Sequence, residues 1–328
     1  MKKLYYYPSA GKSGTYPNPY SVNYKNALGQ YFEVLEADNR KPKGAIGWVV
    51  LKRAFQVDVN IYNWIENVST FRGAFFQWVM VILAILVVKI RGKKIVWMFH
   101  NIHPHYGEDF YSSSIQWLLF HLSTLIVTHS KEAEEYAKKK AMVRVIYLCH
   151  PVETHHVESN DSVLAQDDIF IWGSIIPYKG IFEFISKSEI QYSDIKIRII
   201  GSGSDKEYIN KVKSSCNDHI VFEERRADFS EIASYCKKSR YVLFPYVGES
   251  VSSSGALIDT ILFGGTPIGP NRGAFHDLSE QGLCITYDSF NQLLELLKSN
   301  RSINPQKVSV FIHENSWDSF VKKIHEKI

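Results

Sequence analysis

Along this chain the apolar positions switch between two periods, and the switching happens twice. Short runs rich in β-branched and aromatic residues read as strands: VDVNIYNW (57–64), KIVWMFHN (94–101), STLIVTHS (123–130) and RVIYLCHP (144–151). A short opening strand, YYYPS, precedes them. Between them lie an apolar helix at 73–90, a helical segment near 111–122 and the charged helix SKEAEEYAKKKA (130–141). The polar stretch HHVESNDSVLAQDD (155–168) has no period and reads as a linker. A second series of strands follows: DIFIWGS (168–174), IKIRIIGSG (195–203), HIVFEE (219–224), YVLFPY (241–246), GTPIGP (265–270) and LCITYD (283–288). Helices fill its gaps at 204–215, 229–238 and 254–264, and NSWDSFVKKIHEKI (315–328) reads as a closing helix.

Strands alternating with helices imply parallel sheets with crossover connections. Two such series predict an α/β fold with two facing Rossmann-like domains and a cleft between them. The expected division is 1–155, a linker at 156–167, 168–310, and a helix at 311–328 crossing back to the first domain. Ligands in open parallel sheets bind beyond the carboxyl ends of the strands, so the residues just after each strand carry the chemistry.

A length of 328 residues fits two cores better than one. The formal charge of +4 is unevenly spread. Residues 1–160 hold 19 Lys and Arg against 12 Asp and Glu, whereas 161–328 hold 19 against 22. A basic first half suits an anionic partner: a phospholipid surface, a lipid-linked phosphate or nucleic acid. Four dispersed cysteines without a CxxC pair argue against a disulfide framework or a zinc ribbon and fit a reducing compartment. MKKLYYYPSAGKSG lacks the apolar core of a signal peptide, so a cytoplasmic location is expected. FFQWVMVILAILVVKI (75–90) is strongly apolar, but its uncharged core is shorter than the ~20 residues of a spanning helix. It reads as a buried or partly interfacial helix, giving peripheral contact with the inner membrane face.

Two motifs stand at strand ends of the second half. In WGSIIPYKG (172–180), a strand runs through a turn to Lys179 and a helix start, both suited to a phosphate. In FPYVGESVSSSGALIDTILFGGTPIGP (244–270), the small residues Ser252, Ser253, Ser254 and Gly255 precede a helix. Their backbone N–H groups and the helix dipole suit a diphosphate, and Asp259, a turn further on, suits ribose hydroxyls.

This pair of motifs resembles the donor-binding domain of GT-B glycosyltransferases, and most of all the family 4-like enzymes of bacterial capsule and exopolysaccharide assembly. The shared pattern is G-x-I-x-P-Y-K-G, then P-Y, then S-G-x-x-x-[E/D]-A-x-x-x-G-x-P. The strand ending in HNIHPH and the segment HSKEAEEY (129–136) are similar too, so the resemblance spans about residues 57–290. It implies the GT-B fold and a hexosyltransferase that uses a UDP- or GDP-linked sugar as substrate. It implies no metal or other cofactor, and an acceptor that is a saccharide, polyprenyl-linked in this setting; nucleic acid is not among the implied partners. Lys179 would bind the donor diphosphate, Ser253, Ser254 and Gly255 would line it, and Asp259 would hold the ribose. The chain departs from the pattern where many members have Arg and it has Ser174. The E-x7-E pair is also absent, Asp259 replacing the second Glu. Arg225, Arg226 and Arg272 are candidates for a compensating cation.

HNIHPHYGED (100–109) follows a first-half strand and concentrates His100, His103, His105, Glu108 and Asp109. A zinc site needs three or four converging ligands, and Pro104 breaks the regular structure that would align them. Acid/base or electrostatic work fits better: His100 beside the transferred sugar, Glu108 or Asp109 toward the acceptor hydroxyl. An inverting course needs such a base. A retaining course, which the family favours, lets the donor phosphate take the proton. AGKSGT (10–15) is no P-loop, because Tyr6 occupies the position of the required Gly. It falls in a loop after the first strand, with NPY (18–20). Two rival readings use the same fold: a sugar-nucleotide epimerase or hydrolase, and a non-catalytic sugar- or partner-binding protein.

Overall fold

The computed structural model of the chain describes residues 1–8, 18–35, 46–100, 102, 109–153, 167–248 and 251–328. Most of the expected linker, AGKSGT, His103, His105, Glu108 and Glu249 lie outside them. The chain divides into two compact units: Met1–Pro151 with Asn315–Ile328, and Val152–Glu314.

The first unit is built on six parallel strands, β1 (Lys3–Tyr7), β2 (Glu33–Leu35), β3 (Val59–Asn63), β4 (Lys94–Phe99), β5 (Leu125–Thr128) and β6 (Arg144–Tyr147). Their order is β2-β1-β3-β4-β5-β6. Side chains alternate across the sheet: Ile95, Trp97 and Phe99 of β4 enter one core, Val96 and Met98 the other. Both faces are covered, which is why these strands read as unbroken apolar runs. One face carries α2 (Ile46–Ala54), α3 (Ala74–Ile90), α4 (Phe110–Leu122) and α5 (Lys131–Lys140). The other carries α1 (Pro19–Leu28) and the last helix of the chain, Trp317–His325.

Three of these elements escape the sequence reading: α1, α2 and β2. NPY opens α1 rather than extending a loop, since the Asn18 side chain accepts from the Tyr20 N–H and Pro19 takes the first turn. The expected helices at 73–90, 111–122 and 130–141 form within a residue of their bounds. Capping explains the sharpness: Ser130 accepts from the Ala133 N–H, with Glu132 and Glu134 in the first turn and three lysines in the last.

The second unit repeats the plan with β7 (Ile169–Ser174), β8 (Ile197–Ser202), β9 (Ile220–Glu224), β10 (Tyr241–Leu243), β11 (Pro267–Pro270) and β12 (Ile285–Tyr287). All are parallel, in the order β12-β11-β10-β7-β8-β9. A 3-10 turn, Pro177–Lys179, precedes α6 (Ile181–Ile185) and α7 (Ser188–Gln191). Then come α8 (Lys206–Ser214), α9 (Phe229–Lys238), α10 (Gly255–Leu262), α11 (Gly273–Glu280), α12 (Phe290–Lys298) and α13 (Pro305–Glu314), leaving Trp317–His325 as α14 in the first unit. The strands YVLFPY and LCITYD shorten to three residues each.

Candidate functional site

The carboxyl ends of β7, β10 and β11, three adjacent strands, deliver cations and helix N–H groups to one place in the second unit. Lys179 follows β7. Its ammonium lies over the Tyr246 ring, 5.6 Å from the centroid, and only 9% of the residue is exposed. Burial pushes its pKa below the ordinary value, and no carboxylate pairs with it among the described residues. A buried cation without an anion is costly, so its persistence needs a ligand to explain it.

Two glycines hold this lysine. Gly173 has φ 107°, and a side chain there would come within 3.3 Å of the Lys179 Nζ. Gly180 has φ 64°, and a side chain there would strike the Pro245 carbonyl at 2.1 Å. The close approach lets the Val247 N–H donate to the Tyr178 carbonyl at 3.0 Å, tying the loop after β7 to the loop after β10.

Tyr246 links the lysine to the next helix, its hydroxyl 3.3 Å from the Ser254 Oγ. Ser254 caps α10 by accepting from the Leu257 N–H. The N–H groups of Gly255 and Ala256 find no acceptor among the described residues, and the positive end of the helix dipole lies there. Ser253 is half-buried beside them. Asp259, on the second turn of α10, has its pKa pushed up to about 7 by burial, with the charge of Glu153 adding to it.

Of the three candidate cations, Arg225 is spoken for by Glu223 and Glu231. Arg226 has interactions of its own. Arg272, just after β11, donates to the Tyr246 carbonyl at 3.1 Å while its buried Nε has no partner among the described residues. It therefore borders the same loop as Lys179. Ser174 is exposed at the end of β7.

The first unit gathers a different set at its own strand ends. Asn63 ends β3, His100 follows β4, His129 follows β5 and His150 lies beyond β6. The hydrogen bonds fix the tautomers. The Asn63 Nδ2 donates to the Tyr7 carbonyl at 3.0 Å, so its Oδ1 faces the His100 Nε2 at 3.0 Å. That nitrogen must carry the proton, and the His100 Nδ1 is an acceptor. His129 donates from Nδ1 to the Leu148 carbonyl and accepts the Tyr20 hydroxyl on Nε2, each at 2.9 Å. Burial depresses all three histidines: His100 well below the usual range, His129 to about 3 and His150 to about 4, with mutual repulsion contributing at the first two. They are neutral imidazoles at neutral pH.

Aromatic rings enclose them. Trp64 stacks on His100 with centroids 4.3 Å apart. It does so from a left-handed backbone, φ 53°, a conformation costing a non-glycine residue about 1–3 kcal/mol. Tyr20 touches His100, His129, His150 and Trp317. Asp109 caps α4, accepting from the Ser112 N–H at 2.7 Å. Among the described residues no cluster of three or more His, Cys, Asp or Glu is arranged to hold a metal ion.

The structure thus brings Lys179, Ser253, Ser254, Gly255 and Asp259 into one unit and His100 and Asp109 into the other. The sequence reading gave no role to Asn63, Trp64, His129 and His150 on one side or to Tyr246 on the other. The only local signal for these five is their place at or just beyond the end of a strand motif.

No family profile matches the sequence, and no curated protein matches it. Solved structures do resemble it. HepE of Anabaena in complex with UDP-glucose superposes with a TM-score of 0.73 at 12% identity, over 99% of each chain. AviGT4, a glycosyltransferase involved in avilamycin A biosynthesis, gives 0.64 at 11%, over 100% of this chain and 97% of its own. The trehalose-6-phosphate synthase OtsA gives 0.69 at 8%, over 100% and 99%. The class is therefore defined by fold: two Rossmann-like α/β units of the GT-B type.

Proposed function

We propose that this protein is a glycosyltransferase that moves a hexose from a nucleotide-sugar donor to a saccharide acceptor. The observation that carries the proposal is the buried Lys179 ammonium, with no carboxylate on it among the described residues, beside the α10 N–H groups that find no acceptor among them. A diphosphate supplies the missing anion for both. Arg272 then stands in for the cation lost at Ser174. Asp259 accepts from the ribose hydroxyls, and Ser253, Ser254 and Gly255 line the phosphates. HepE was solved with UDP-glucose, which supports UDP as the base-bearing half here.

His100 lies in the other unit and cannot act as a strong base, since burial keeps it neutral. Its Nδ1, left as an acceptor, suits a sugar hydroxyl. The reaction runs with retention, as the mechanism of a trehalose-6-phosphate synthase neighbour is described. The bond from the anomeric carbon to the diphosphate oxygen breaks, and the bond to the acceptor oxygen forms. The acceptor proton passes to the departing phosphate, whose charge Lys179, Arg272 and the helix N-terminus stabilise. Glu108 or Asp109 orients the acceptor hydroxyl, as the family resemblance implies. No metal takes part in this scheme. A lipid-linked acceptor in surface polysaccharide assembly, at the inner membrane face, fits the basic first half of the chain.

The test is release of UDP from a panel of UDP-sugars, with EDTA present, with and without a mixture of lipid-linked saccharides. Acceptor-dependent, stoichiometric release is expected. Release or isomerisation without acceptor points to the epimerase or hydrolase reading; binding with no turnover of any donor points to a non-catalytic protein.

A further inference from the structure

Helix α3 packs one side into the core of its unit through Gln77, Val81, Ala84, Ile85 and Val88. A surface helix ordinarily turns polar residues outward. The outer stripe of α3 is instead Phe75, Phe76, Val79, Leu83, Leu86 and Ile90, with Phe75, Phe76 and Ile90 63%, 54% and 85% exposed. The neighbouring helices extend the patch. Trp48 stands out from α2 and Phe55 from the turn just after it, and Phe110 and Trp117 from α4. Phe110 and Phe75 both approach Trp78, with centroids 5.7 and 5.8 Å away. So wide an apolar surface marks an interaction site.

Its charge names the partner. Residues 46–100 contain seven Lys and Arg against two acidic residues. Of those two, Asp58 is paired with Lys93 and Glu66 is buried. Lys52, Arg72 and Lys89 lie exposed on α2 and at the two ends of α3, with no ion pair among the described residues. A two-fold interface with a second copy would press these cations against one another, because such an interface is self-complementary. An anionic lipid surface would neutralise them. At 17 residues α3 is about 26 Å long, and no described helix is long and apolar enough to cross a membrane.

We propose that the outer face of α2, α3 and α4 is a membrane-binding surface, seated flat on an anionic bilayer. The apolar stripe enters the headgroup boundary, Trp48 and Trp117 occupy the interface, and Lys52, Arg72 and Lys89 meet lipid phosphates. The proposal needs neither nucleotide nor acceptor, so it stands or falls separately from the transferase reading.

The test is co-sedimentation with vesicles of phosphatidylcholine alone and of phosphatidylcholine with phosphatidylglycerol, with the oligomeric state measured in parallel. Binding to the anionic vesicles, weakening as salt is added, is expected. The double variant Leu83→Glu/Leu86→Glu should abolish it with the thermal unfolding temperature unchanged, and the uncharged Phe76→Ser/Ile90→Ser pair should also lower it. Removing Arg72 or Lys89 should weaken it about fivefold each. The proposal is overturned if anionic vesicles bind the protein no better than they bind the glutamate variant. It is equally overturned if the protein is a dimer that this variant dissociates, with no vesicle binding, because the face then serves a second copy.

Discussion

The two units share a plan of six parallel strands, yet the groups at their strand ends are opposites. In the first, the histidines are neutral, Asn63 and His129 are satisfied within the protein, and aromatic rings close around them. In the second, a buried ammonium has no anion and helix N–H groups have no acceptor among the described residues. A neutral, ring-lined site suits a hydroxyl-bearing molecule, while an electropositive one suits a diphosphate. The fold fixes where chemistry sits; the residues after each strand decide what it can be.

Replacing Lys179 should sharpen the contrast most. Lys179→Ala should weaken binding of a nucleoside diphosphate about a hundredfold, the scale of a lost charge-assisted contact, as calorimetry would read. Lys179→Met should also raise the unfolding temperature of the unliganded protein, because a desolvated charge disappears. The linkage has a definite sign. The folded pKa is lowered from 10.5, so the unfolded chain binds more protons between the two values. Wild-type stability should therefore rise with pH through that window, and the Met variant should lack the rise.

In the first unit, His100→Ala should reduce transfer about a hundredfold while nucleotide affinity stays unchanged, separable by measuring turnover and binding on one preparation. Equal loss of both would merge the two sites into one. Asn63→Ala removes the acceptor that fixes the proton on the His100 Nε2 and should lower turnover by about tenfold without changing binding. The smallest effect belongs to Asp259. Its folded pKa of about 7 lies above the ordinary 3.8, so its contribution to stability is complete at low pH and is lost as pH rises through about 7. Thermal unfolding across that range should show the loss in the wild type and not in Asp259→Asn. Binding should move the opposite way, tightening severalfold as the carboxylate forms; the Asn variant should retain only the part due to the nucleotide's own phosphate.

Strand runs such as KIVWMFHN were legible because both sheet faces are buried, and helix bounds such as 131–140 because caps and end charges mark them. The lysine turn and the serine cap were legible because glycines and small residues leave a local trace. Helix α1 was hidden, its signal being one Asn-Pro pair inside what reads as a loop. The aromatic enclosure of the histidines was hidden for another reason. Tyr20, Trp64 and Trp317 are far apart in the chain and meet only when α1 and α14 cover the sheet. The preference for Arg272 over Arg225 likewise depends on pairing with Glu223 and Glu231, which spacing alone does not reveal.

The most direct test titrates UDP and uridine into the wild type and into Lys179→Met. The account predicts that the wild type binds UDP far more tightly than uridine, and that the variant binds the two nearly alike. Equal affinity of both proteins for UDP, or no binding of UDP by the wild type, would contradict the assignment of the buried ammonium to a diphosphate.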